Sequence, residues 1–177
     1  MNMKFLLIIF MFGTMNAQNA MFDFSLSDAK KGWIIVNDGV MGGLSKGDIE
    51  FTDANAKFSG NVSTDNNGGF TMVMNRFDQQ RLTEYTAFIL EVKGDGKAYQ
   101  FRVKSNAYQS HSYVYSFTTN GKWQTIEIPF SSLVPRFRGR VVDVSNFEGQ
   151  QIEEMAFLIG NKRKEAFELL LKSVSVK

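Results

Sequence analysis

The stretch Phe88-Ile89-Leu90-Glu91-Val92-Lys93-Gly94-Asp95-Gly96-Lys97-Ala98-Tyr99-Gln100-Phe101-Arg102-Val103-Lys104 decides the fold. Phe88, Leu90 and Val92 alternate with Ile89, Glu91 and Lys93. Beyond a Gly-Asp-Gly turn signal, Tyr99, Phe101 and Val103 alternate with Gln100, Arg102 and Lys104. A period of two is that of a half-buried strand. The spacing predicts two strands joined by Gly94–Gly96 as a tight hairpin.

The same period extends outward in both directions. Tyr113, Tyr115 and Phe117 alternate with Val114, Ser116 and Thr118, Ile126 and Ile128 with Thr125 and Glu127, and Phe167, Leu169 and Leu171 with Glu168 and Lys172, less cleanly because Leu170 intervenes. Shorter runs lie at Trp33–Val36, Ile49–Thr52, Ala56–Val62, Phe70–Asn75 and Met155–Ile159. Asn66-Asn67-Gly68-Gly69 and Asn120-Gly121 supply turn chemistry between them. Only Gln150–Met155 hints at helix, and Ser27–Lys31 holds one turn at most. About ten short strands with frequent turns predict a single all-β domain over residues 18–177, a β-sandwich or jelly roll.

Composition narrows the chemistry. The 177 residues include no Cys, which excludes disulfides, thiolate metal sites and Cys nucleophiles. One histidine, His111, excludes multi-His metal sites. With 20 basic and 18 acidic residues, the charge offers no overall attraction to nucleic acid. No cofactor is expected.

Residues 1–17 read as a leader. Lys4 precedes the apolar run Phe5–Phe12, which is too short to span a bilayer, and Gly13-Thr14-Met15-Asn16-Ala17 turns small and polar. Residues 1–20 contain no Arg, unlike an amphipathic mitochondrial presequence. The expectation is a cleaved signal peptide and an exported protein, periplasmic or secreted. No later segment is apolar enough to cross a membrane, so the mature chain is expected to lack a membrane span.

The most unusual local sequence is Trp33-Ile34-Ile35-Val36-Asn37-Asp38-Gly39-Val40-Met41-Gly42-Gly43-Leu44-Ser45. A strand enters a Gly-rich loop with an Asn-Asp pair. No Gly-Lys-Ser/Thr follows and no helix pattern follows, so it is not a phosphate loop. Asn37 and Asp38 either cap loop amides or contact a ligand. Gly42 and Gly43 either allow positive φ or admit a closely approaching group. Asp38 is expected to cap, and the loop to border a binding surface.

These blocks resemble the complex I intermediate-associated protein 30 family, whose domain is a galactose-binding-like β-sandwich. Trp33 with Asn37–Ser45 is similar to the family's opening signature. Phe58–Ser63 with Asn67–Phe70, Gly94–Gly96 with Tyr99 and Phe101, Trp123–Phe130, Pro135–Arg140 and Phe167–Leu169 follow in order. The resemblance implies a non-enzymatic scaffold or assembly role and brings no catalytic residues. The galactose-binding-like fold also keeps open a carbohydrate-binding module of the bacterial envelope.

Other candidates come from the residues themselves. Arg136, Arg138 and Arg140 alternate, so one extended segment would present all three on one side to an acidic partner. Tyr108, His111 and Tyr113 read as a polar-aromatic loop able to stack on a sugar or a partner. Asp38, Asp48, Asp65 and Asp95 lack calcium-loop spacing and read as turn caps. No Gly-x-Ser-x-Gly accompanies His111, which argues against a hydrolase triad. The candidate binding set is therefore Trp33, Asn37, Asp38, Met41, Gly42, Gly43, Tyr108, His111, Arg136, Arg138 and Arg140, with a protein or a glycan as partner.

Overall fold

A computed structural model describes residues 19–177, with the backbone alone at Val40 and Met41. The expected leader, residues 1–17, lies outside the described residues. Thirteen strands follow in order: β1 (Asn19–Asp23), β2 (Trp33–Asn37), β3 (Lys46–Phe51), β4 (Ala56–Val62), β5 (Thr71–Arg81), β6 (Ala87–Gly94), β7 (Ala98–Lys104), β8 (Ser112–Thr118), β9 (Trp123–Pro129), β10 (Val134–Phe137), β11 (Arg140–Val141), β12 (Gln151–Ile159) and β13 (Glu165–Val176). The helical pieces among the described residues are short 3₁₀ turns, one of them at Asp28–Lys30 and another at Asp38–Met41.

The strands form two antiparallel sheets packed as a sandwich. One runs β3-β4-β13-β6-β9, with β1 also pairing β13; the other runs β11-β10-β8-β7-β12-β5-β2. All ten expected strands are present, and β1, β10 and β11 are additional.

Two expectations need correction. Gly94–Gly96 does not close a hairpin: β6 pairs β13 and β9, while β7 pairs β8 and β12. The turn carries the chain from one sheet to the other. Alternation identifies which residues face inward but not which strand is the neighbour. Phe88 and Phe101 consequently meet across the interior, ring centroids 5.2 Å apart and edge to face. Gln150–Met155 is not helical either. Gln151 begins β12, whose position between β5 and β7 outweighs the helical preference of its Gln, Glu and Met residues.

The core follows the period-two pattern. Phe24, Phe58, Phe88, Phe101 and Phe157 are wholly buried, with Leu90, Leu169, Leu171 and Ile152 filling between them. Phe101 also packs on Phe157 at 5.4 Å. In β13, Phe167, Leu169 and Leu171 point inward; a bulge between Leu171 and Ser173 then resets the pattern so that Val174 and Val176 are buried too.

Candidate functional site

The Asn37–Ser45 loop is organised from within. Asp38 is 5% exposed. Its carboxylate accepts hydrogen bonds from the Ser45 amide at 3.1 Å, the Ser45 hydroxyl at 2.5 Å, and the Gly69 and Phe70 amides at 2.7 and 3.3 Å. Burial alone would raise its pKa, but the bonds from Ser45, Gly69 and Phe70 outweigh that and hold it below the ordinary value. Asn37 Oδ1 accepts from the Gly47 amide at 3.0 Å and the Thr71 hydroxyl at 2.6 Å. The pair thus ties the ends of β2, β3 and β5 together.

The glycines serve the same arrangement. A Cβ on Gly43 would overlap the Asp38 carboxylate, so the group that approaches closely is the chain's own. Gly42, at φ 82°, ends the 3₁₀ turn Asp38–Met41, and its carbonyl accepts from Asn66. This geometry caps the loop from within.

The Trp33 side chain lies in the core and not at the surface, unlike the expectation. It is 8% exposed, packs against Phe22 and Phe24, and donates its indole N–H to the Ala29 carbonyl at 2.9 Å.

The arginine trio also differs from expectation. Arg138 and Gly139 both take positive φ, 47° and 80°, and form the two-residue turn of a β10–β11 hairpin. Phe137 pairs with Arg140 and Arg136 with Val141, so Arg136 and Arg140 lie on opposite faces of the ribbon. Arg138 folds back over the Phe137 ring at 5.3 Å. The three do not form one patch.

Tyr108 is 92% exposed in the loop between β7 and β8. His111 packs edge-on against Tyr113 at 5.1 Å, and its buried Nε2 has no hydrogen-bond partner among the described residues. Trp123, 47% exposed, pairs with Lys93 beside the sheet-crossing turn. Strand β7 separates that turn from Tyr108 by seven residues, on the order of 20 Å. Tyr108 and Trp123 therefore stand at opposite ends of the sandwich.

The sequence did not point to the outer face of the seven-stranded sheet, where charge is concentrated. Register aligns Arg76, Glu154 and Lys104 across β5, β12 and β7. Glu154 is 5% exposed and meets Arg76 at 2.8 Å and Lys104 at 3.3 Å. Arg102 lies two residues from Lys104 on the same side of β7, and Arg136 faces the same way on β10. Beside this cluster the face is apolar: Val36 pairs with Met72, Ile34 with Met74, and Ile34 is 55% exposed. Met74, Ala156, Leu158 and Val114 point the same way yet are nearly buried, so neighbouring groups cover the middle of the face. No aromatic side chain lies on this face over the register from Ile34 to Arg136 among the described residues.

Among the described residues no group of three or more metal-ligating side chains comes together, and no helix is long and apolar enough to cross a membrane. The turn aspartates are engaged separately, Asp65 with Lys164 at 2.7 Å and Asp95 with the Tyr99 hydroxyl at 2.9 Å.

Comparison with known proteins adds the following. A family model described as complex I intermediate-associated protein 30 matches residues 22–171. The complex I intermediate-associated protein 30, mitochondrial, of Drosophila melanogaster is 27% identical over 148 residues, covering 71% of this chain and 50% of the relative. The chain thus spans about half the length of the curated relative it matches. Among solved structures, the family 11 carbohydrate-binding module of a cellulosomal cellulase of Clostridium thermocellum is similar with TM-score 0.64 at 19% identity, covering 90% of this chain and 94% of the module. A family 11 module from the same organism, in complex with a β-1,3-1,4-mixed-linked tetrasaccharide, gives TM-score 0.63 at 20% identity with the same coverage. At such identity the likeness is one of fold.

The curated match overturns the export expectation. The named relative is mitochondrial, neither periplasmic nor secreted. The expectation rested on one lysine and eight apolar residues, a pattern of low specificity.

Proposed function

The chain belongs to the complex I intermediate-associated protein 30 family, and from that premise we propose that it is a non-enzymatic binding domain that serves as an assembly scaffold by engaging a protein partner. The observation that carries this reading is the extent of the family match, residues 22–171, which takes in nearly the whole described sandwich. The fly relative is named for association with a complex I intermediate, and the proposal extends that association to this chain.

The side-chain chemistry supports binding over catalysis. The buried carboxylates are engaged in structure: Asp38 holds loop amides and Glu154 holds Arg76 and Lys104. A general acid or base needs a group free to exchange a proton with substrate.

The glycan alternative rests on the fold it shares with carbohydrate-binding modules and on exposed Tyr108. Sugar recognition favours aromatic rings offering a common stacking surface. Tyr108 and Trp123 stand too far apart for that, which places the protein partner first.

Affinity capture of the tagged full chain from its source cells, resolved by native electrophoresis, tests the reading. Complex I subunits should migrate with the chain, and deleting the gene should lower assembled complex I. A chain that migrates alone, with complex I unchanged on deletion, would contradict it.

A further inference from the structure

We propose that the outer face of the seven-stranded sheet docks an extended, carboxylate-bearing segment of a protein partner, its acids meeting Arg102 and Arg136 and its apolar side chains meeting Ile34, Val36 and Met72. This rests on the scaffold reading above and names the kind of partner.

The charge balance of the face carries the argument. Arg76 and Lys104 share the Glu154 carboxylate, and the neighbouring Glu153 accepts from the Ala107 amide, which leaves Arg102 and Arg136 in no ion pair among the described residues. Asp78 continues the same side of β5 two residues on from Arg76, beyond the cluster. Arg102 is half-buried, and its hydrogen bond among the described residues is a long one, 3.3 Å to Gln100 Oε1. A guanidinium carries five donors. Burial pulls the Arg102 pKa below its ordinary value; Glu154 pushes it back up and Arg136 lowers it further. A partly desolvated cation with donors to spare and a like charge nearby is stabilised by an incoming carboxylate, which supplies charge-assisted bonds. Arg136 donates to the Gly139 carbonyl and is in no ion pair among the described residues.

The apolar half sets the class of partner. Ile34, Val36 and Met72 lie on the β2 side of the same face, with the nearly buried Met74, Ala156 and Leu158 between them and the cations. From β2 to β10 the face is five strand spacings wide, about 24 Å. A polyphosphate chain or a lipid headgroup layer would use the cations and leave the apolar stripe in water. A peptide alternating acid and aliphatic residues uses both, and methionine adapts its shape to such a partner.

Titration of the full chain with short blocked peptides, followed by nuclear magnetic resonance, tests this. A peptide alternating leucine with glutamate should bind and shift amides of β2, β5, β7 and β10. Arg102→Gln with Arg136→Gln, and separately Ile34→Glu, should each weaken binding at least about tenfold, as loss of a charge-assisted bond or an apolar contact does. Melting curves establish that each variant is folded. Should Arg102→Gln not fold, Arg136→Gln and Ile34→Glu alone carry the test. No binding, or equal binding by a lysine–leucine peptide, a serine–glutamate peptide, phosphatidylserine vesicles or duplex DNA, would overturn the proposal. Capture of complex I subunits by the doubly substituted chain would show the scaffold reading standing while this face fails; loss of that capture with the peptide bound as described supports both.

Discussion

Oδ2 of Asp38 lies 2.7 Å from the amide nitrogen of Gly69, thirty-one residues further along the chain. The same oxygen accepts the Phe70 amide and the Ser45 hydroxyl, and Oδ1 accepts the Ser45 amide. One buried carboxylate therefore holds two loops that have no strand pairing of their own. Asp38→Ala leaves the Ser45, Gly69 and Phe70 amides without their acceptor, while the Ser45 hydroxyl keeps the Ser63 carbonyl, at about 1–3 kcal/mol for each group that stays dry. We predict a loss of at least about 2 kcal/mol in urea unfolding. A variant as stable as the parent would show that water replaces the carboxylate.

Acid should unfold the protein through the same kind of group. Asp38 and Asp95 both have lowered pKa values: burial opposes this in each, and hydrogen bonds from Ser45, Gly69 and Phe70, or from Lys97, Tyr99 and the Glu168 amide, prevail. The unfolded pKa is about 3.9. The folded state binds fewer protons, so their stabilisation is complete above that value and is lost as pH falls through the lower folded values. Urea midpoints should be flat with respect to these two groups from pH 7 to about 5 and fall below about 4. Asp38→Ala with Asp95→Ala should flatten the fall. An unchanged slope in that variant would assign acid unfolding elsewhere.

The alternating strands were legible because they bury one face: Phe88, Leu90 and Val92 announce β6 without any knowledge of its neighbours, whereas Met155–Ile159, buried at successive positions in β12, shows only as a short apolar run. Strand order was not legible, since alternation is the same whether Gly94–Gly96 closes a hairpin or crosses between sheets. The capping role of Asp38 was readable from its Asn-Asp-Gly setting. Trp33 looked like a site residue because it belongs to an unusual block, yet its side chain is core. The cluster Arg76, Arg102, Lys104, Glu154 and Arg136 comes from four strands that adjoin only through the order β10-β8-β7-β12-β5. Its one local trace was Arg102 and Lys104 between the buried residues of β7, which marks them as outward-facing and nothing more.

Core and surface aromatics should separate cleanly. Phe101 is wholly buried between Phe88 and Phe157. Phe101→Ala should cost about 3–5 kcal/mol. Trp123→Ala, at an edge position 47% exposed, should cost under about 1 kcal/mol. Equal losses in urea unfolding would show that the interior of the sandwich does not supply its stability.

Glu154→Gln removes the carboxylate that Arg76 and Lys104 share and leaves the largely buried Lys104 without its ion-pair partner. We predict a loss of about 3 kcal/mol, as when one partner of a buried ion pair is deleted. Arg76→Gln, at a side chain 57% exposed, should cost no more than about 1 kcal/mol. Chemical unfolding of the two variants side by side checks the order; a larger loss from Arg76→Gln than from Glu154→Gln would contradict it.

The claim that this domain works by binding protein on the outer face of its seven-stranded sheet is tested most directly by site-specific photo-cross-linking in the source cells. A photoreactive residue is placed at Ile34 on that face, or at Trp123 on the edge of the other sheet. The account predicts that position 34 cross-links to complex I subunits at acidic, aliphatic-rich segments, and that position 123 does not. Cross-links to those subunits from position 123 alone would contradict it.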